Sequence, residues 1–157
     1  MTREKKTVSP PKLFDLTSLQ REANRIYGYT AKQTLDLAQA LYEKRLLTYP
    51  RTDSRYITTD VADTLKERLK ACSVGPYRKL AGSLSMRPIR KNASFVDNKK
   101  VTDHHAIIPT EQFVDLQTMT NEERKVYDLV VRRFLAVLLP AFEYDQTVFC
   151  LLYTSPS

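Results

Sequence analysis

Hydrophobic positions recur at helical spacing in three stretches of the chain, each opened by a threonine suited to satisfy free amides at a helix start. In the first, Thr17-Ser18-Leu19-Gln20 reads as a capping box, Leu19, Ala23 and Ile26 share one face, and Gly28 sits where a left-handed C-cap belongs. In the second, Thr30-Ala31-Lys32-Gln33 opens a helix with Leu35, Ala38, Leu41 and Tyr42 directed inward. In the third, Thr120-Asn121-Glu122-Glu123 opens a longer one carrying Val126, Leu129, Val130, Phe134, Val137 and Leu138, closed by Pro140. Thr59 is placed to cap a further helix over 60–70, with Val61, Leu65 and Leu69 on one face. Residues 72–100 read mostly as loop, with a short helix around Tyr77–Ser83. Two segments look extended: Leu46-Leu47-Thr48-Tyr49, stopped by Pro50, and 144–153. Residues 1–12, polar and basic with Pro10-Pro11, read as an entering linker.

The pattern predicts a mainly α (α+β) domain, and the first two helices with their glycine turn resemble a helix-turn-helix unit. Composition narrows the class. At 157 residues, 42% hydrophobic and 27% charged, the chain has enough apolar material for one core, so wholesale disorder is not expected. No apolar run approaches the roughly 20 residues that span a bilayer. Gly28, Gly75 and Gly82 fit neither GxGxxG nor a Walker A loop, so nucleotide hydrolysis by this chain is not indicated. Cys72 and Cys150 form no CxxC pair and only two histidines are present, which argues against structural zinc or a disulfide framework and suits a reducing cytoplasm.

The net charge of +7 is unevenly placed. Residues 1–110 hold 21 Lys/Arg against 11 Asp/Glu, whereas 111–157 hold 4 against 7. The densest stretch, 66–100, carries ten basic residues, Lys99 and Lys100 among them, and two acids. A polyanion is the natural partner, because each neutralised phosphate releases counterions. A basic face kept for solubility would show the same charge.

Two segments carry candidate chemistry. In Leu47-Thr48-Tyr49-Pro50-Arg51-Thr52-Asp53-Ser54 an apolar stretch delivers a tyrosine to a proline-fixed turn, with a guanidinium two positions later. A phenol can attack phosphorus, but a pKa near ~10 leaves about one in 1,000 ionised at neutral pH, a cost of about 4 kcal/mol. A nearby cation or a base must offset that cost, and Arg51 is placed to fix a phosphate and stabilise charge. The same residues also suit a buried tyrosine in an ordinary turn. In Asp103-His104-His105-Ala106-Ile107-Ile108-Pro109-Thr110, adjacent histidines precede an apolar pair, a rigid segment that could present one imidazole to a phosphate oxygen. As a metal site it lacks ligands.

Together, LTYPRTDS and DHHAIIPT some fifty residues later resemble the type IA DNA topoisomerases, specifically the topoisomerase III branch. The upstream DLTSLQREANRIYGYTAKQTLDLAQALYEK is similar to that family's helical lead-in, and the likeness runs from about Pro10 to about Val148. The resemblance implies a helical, winged-helix-like tyrosine domain over 13–142, and the first strand of a β-rich arch over 143–157. The final LLYTSPS departs from the family's pattern, as a truncation or a non-native tail would. It also implies that Tyr49 is the nucleophile that forms a 5′-phosphotyrosine with one DNA strand, that Arg51 contacts the scissile phosphate, and that His104 positions it. DNA contacts are assigned to Arg51, His104, Lys99 and Lys100; Asp53 and Ser54 are read as support for the turn, and His105 receives no catalytic role. No DxDxE cluster is present, so Mg²⁺ is expected on a toprim domain outside this chain, with single-stranded or underwound DNA and the missing domains as partners. The isolated chain is expected to be inactive. Three other readings compete. One is a non-catalytic helix-turn-helix module. Another is a tyrosine recombinase, against which the early position of Tyr49 argues. The third is an RNA-directed partner protein, which the basic charge also suits.

Overall fold

The longest helix, α6 (Asn121–Leu138), is the element on which the two N-terminal helices and the helix over 78–85 pack. It belongs to a computed structural model that describes residues 11–89 and 92–139. Its start is the expected one: the Thr120 hydroxyl accepts from Glu123 N, and the Glu123 carboxylate accepts from Thr120 N. Val126, Tyr127, Val130, Val131, Phe134 and Leu135 are all buried, a wider apolar surface than one stripe provides. Burial of each large side chain contributes roughly 1.5–3 kcal/mol. Leu139, extended at ψ 143, ends the helix just before Pro140, as residues preceding proline do.

Helices α1 (Leu16–Tyr27) and α2 (Ala31–Glu43) form a hairpin that rests on α6. Gly28, at φ 73, makes the left-handed cap that only glycine adopts without strain. The start of α1 differs from expectation. Asp15, not Thr17, is the N-cap, and it shares a reciprocal box with Ser18. A carboxylate two residues earlier outcompetes the hydroxyl because Leu16 N is already held by Thr52 O, which starts the helix sooner. Thr30 does cap α2 through Gln33 N. Its inward stripe is Thr34, Ala38 and Leu41; Tyr42 is 39% exposed, and Ile26 on α1 is 45% exposed. The hairpin buries only the narrow faces that meet α6 and each other, and both residues lie outside them.

The helix expected over 60–70 is broken into α3 (Thr59–Ala62) and α4 (Leu65–Ala71), capped by Thr58 rather than Thr59. Thr64 causes the break, since its hydroxyl donates to Val61 O at 2.7 Å and accepts from Arg68 Nε at 2.8 Å. A 3₁₀ turn at Gly75–Tyr77 leads into α5 (Arg78–Ser85), which packs on α4. The described residues are thus mainly helical, with β structure limited to three isolated bridges. The strand expected over 144–153, and with it the arch, lies outside the described residues.

After α2 the chain reverses at Arg45, whose φ of 65 is unusual for a residue with a side chain and costs roughly 1–2 kcal/mol. Thr110 Oγ1 donates to Arg45 O, and Lys44 Nζ donates to the buried Glu123 carboxylate at 2.7 Å. These contacts fix the exit from α2 and aim Leu46-Leu47 into the core.

Candidate active site

The two chemistry-bearing segments, about fifty residues apart in sequence, lie side by side. Thr48 N donates to Ile108 O at 3.0 Å, Thr110 N to Leu46 O at 3.2 Å, and Leu47 bridges Pro109 antiparallel. On its other edge the 106–107 backbone donates to Tyr56 O and Phe14 O, both at 2.9 Å. Arg68, buried, donates from Nη1 to Pro109 O at 3.0 Å and so clamps the far end. The apolar trio Ala106-Ile107-Ile108 is almost completely buried between these partners.

Threonine hydroxyls tie the pair more tightly than the backbone alone. Thr48 Oγ1 donates to Ala106 O at 3.2 Å and accepts from Ile108 N at 3.0 Å. Thr52 Oγ1 donates to His104 O at 3.1 Å and accepts from Ser54 N at 3.1 Å. Ser54 Oγ donates to Lys100 O at 2.8 Å. Tyr49 stands between the two threonines, so its backbone is fixed on both sides. The sequence reading missed this, although threonines four apart around the tyrosine were a visible signal.

On this frame the functional groups face outward. The Tyr49 ring, partly exposed, packs against the His104 imidazole with centroids 4.3 Å apart and a 37° tilt. Tyr42 meets its other side edge-on at 5.2 Å, a neighbour unforeseen because Tyr42 was expected inside. Arg51 and His104 line one open cleft of about 430 Å³ beside the start of α1, together with Thr52, Asp53 and Asp103. Arg51 is exposed and engages no acceptor among the described residues, which leaves its guanidinium available to an incoming anion. Tyr49 does not itself line this cleft; its ring meets the cleft-lining His104.

The remaining residues sort clearly. Ser54 is buried and does support the turn, as expected. Asp53 does not: its side chain is exposed and lies on the cleft wall. Lys99 and Lys100 stand on a 3₁₀ turn, Asn98–Lys100, just before the cleft-lining Asp103 and His104, and neither lines the cleft. No three Asp, Glu, His or Cys side chains gather as metal ligands among the described residues.

His105 turns away from the cleft and donates from Nδ1 to Ala106 O at 2.8 Å. Burial pushes its pKa below the ordinary 6.5. The unfolded chain therefore takes up a proton that the folded chain refuses, so the stability this residue contributes is present above about pH 6.5 and is lost as the pH falls below it. Thermal melts across that range are expected to show a falling Tm, with a shallower fall for His105→Asn. Identical profiles would contradict the assignment.

Comparisons with known proteins bear on the family. The family model for DNA topoisomerase matches residues 1–154. DNA topoisomerase 3 from Bacillus thuringiensis (strain Al Hakam) is 61% identical over 145 residues, covering 92% of this chain and 20% of that protein. DNA topoisomerase 3 from Bacillus subtilis (strain 168) is 50% identical over 138 residues, covering 87% and 19%. Among solved structures, full-length topoisomerase I from Thermotoga maritima superposes with a TM-score of 0.56 at 27% identity, over 85% of this chain and 21% of that one. The chain thus spans about a fifth of the length of these relatives. It belongs to the DNA topoisomerase family, type IA, on its topoisomerase III branch.

Proposed function

We propose that this chain is the tyrosine-bearing part of an enzyme that cuts and rejoins one DNA strand, working in the bacterial cytoplasm on the nucleoid. The Tyr49 oxygen attacks the phosphorus of a single-stranded or underwound segment. The P–O3′ bond breaks, the 3′-hydroxyl leaves with a proton, and the phenol proton is given up as the 5′-phosphotyrosine forms. Religation is the reverse. One phosphodiester replaces another at nearly equal energy, so no nucleotide need be spent. Arg51 holds the phosphate oxygens and stabilises charge at phosphorus, while His104 fixes the phosphate against the tyrosine. Magnesium, held by acidic residues of a toprim domain outside this chain, would supply further charge compensation.

The observation that carries the proposal is the Tyr49–His104 ring contact at the edge of a cleft that Arg51 and His104 line together. A full-length relative carrying this chain in place of its matching stretch provides the test. With Mg²⁺ and a single-stranded oligonucleotide, a 3′-end label is expected to become covalently attached to protein and a 5′-end label to be released. Attachment of the 5′-labelled fragment, or of neither, would overturn the proposal. The isolated chain should give negligible adduct.

A further inference from the structure

Tyr56, seven residues after Tyr49, is flanked by two ammonium groups. Lys12 Nζ donates to the Tyr56 hydroxyl at 3.0 Å and lies 5.0 Å from the ring centroid; Lys100 Nζ lies 4.9 Å from the same centroid. Both lysines are exposed, and neither meets a carboxylate among the described residues. Asp15, on the lead-in segment, is engaged by Ser18 and Arg55.

The roots of the cluster are fixed. Arg133 Nη1 donates to Lys12 O at 2.9 Å, Ser54 Oγ to Lys100 O at 2.8 Å, and Ala106 N to Tyr56 O at 2.9 Å. Three chain segments therefore build the cluster: the lead-in to α1, the turn after Tyr49, and the run into His104. The same three segments supply the cleft wall.

We infer that Lys12, Tyr56 and Lys100 form a second strand-binding subsite, which takes the phosphate of a nucleotide flanking the one held between Arg51 and His104. The inference rests on the proposal that single-stranded DNA occupies the cleft. The phenol accepts from Lys12 and keeps its own O–H to donate to a phosphate oxygen, while the two ammonium groups neutralise the charge. The ring offers a face to the adjoining sugar or base, a contact indifferent to sequence. The Lys12 hydrogen bond, outweighing partial burial and helped by the charge of Lys100, draws the Tyr56 hydroxyl below its ordinary pKa of 10.0, as expected where positive charge converges.

Fluorescence anisotropy of the 157-residue chain with an oligothymidylate tests this. Lys12→Gln/Lys100→Gln is expected to weaken binding by about tenfold and to flatten the salt dependence of log Kd by roughly one. Lys66→Gln/Lys70→Gln, on the exposed face of α4, removes the same charge and should change neither. Equal weakening by both pairs would show a generic charge effect and overturn the subsite; so would unchanged binding by the first pair, or no binding by the unsubstituted chain. Adduct formation by the chimera described above, measured alongside, keeps the two ideas separate. Loss of that adduct sinks the role of Tyr49, whereas an intact adduct with unaltered Lys12/Lys100 binding sinks the subsite alone.

Discussion

Tyr49→Phe in the full-length chimera is expected to abolish the covalent adduct while leaving single-strand affinity within about twofold. The substitution removes one oxygen and keeps the ring. Its packing against His104 and Tyr42 depends on the ring faces and edges and not on the hydroxyl. Thr48 and Thr52 still hold the backbone on both sides. The phosphate contacts proposed for Arg51 and His104 also remain. Only the nucleophile is lost. Gel retardation and adduct formation measured on the same preparation separate the cases: a non-catalytic binding module would form no adduct with or without the substitution, and a misfolded variant would lose both.

Arg51→Ala is expected to slow strand cleavage by about 10²–10³-fold, the usual effect of removing one preorganised group that stabilises charge in a transition state. Its side chain is exposed and makes no hydrogen bond or ion pair among the described residues, so truncation leaves no buried partner unsatisfied and the melting temperature should hold. Arg51→Lys restores charge but not the planar fork that grips two oxygens at once, and should recover only part of the rate. Single-turnover cleavage at saturating DNA reads the effect. A rate for Arg51→Ala within a few-fold of the parent would remove Arg51 from the chemistry.

Much of this architecture is legible in the residues. Gly28 and the Thr120–Glu123 box mark helix ends because their local chemistry leaves few alternatives. The fold class and the pairing of LTYPRTDS with DHHAIIPT were likewise readable, the latter through family resemblance and not through periodicity. What escaped is tertiary. Asp15 takes the cap from Thr17 because Thr52 O, distant in sequence, already holds Leu16 N. Tyr42 and Ile26 fall outside the buried stripe because only a third element decides which faces of a hairpin are covered. The break at Thr64 follows from one hydroxyl turning back on Val61 O. In the site, Asp53 reads as a turn residue, yet Ser54 and Thr52 carry the turn and leave its carboxylate on the cleft wall. The Tyr56 cluster draws on three distant segments, and no local pattern could announce it.

The central claim is that the oxygen of Tyr49, and no other group, becomes bonded to DNA. Nuclease and protease digestion of the trapped adduct, followed by tandem mass spectrometry, reads this directly. A nucleotide remnant on the peptide containing Tyr49, with fragment ions placing it on that residue, is the expected result. A remnant on Tyr42, Tyr56 or any other side chain, with Tyr49 unmodified, would contradict it.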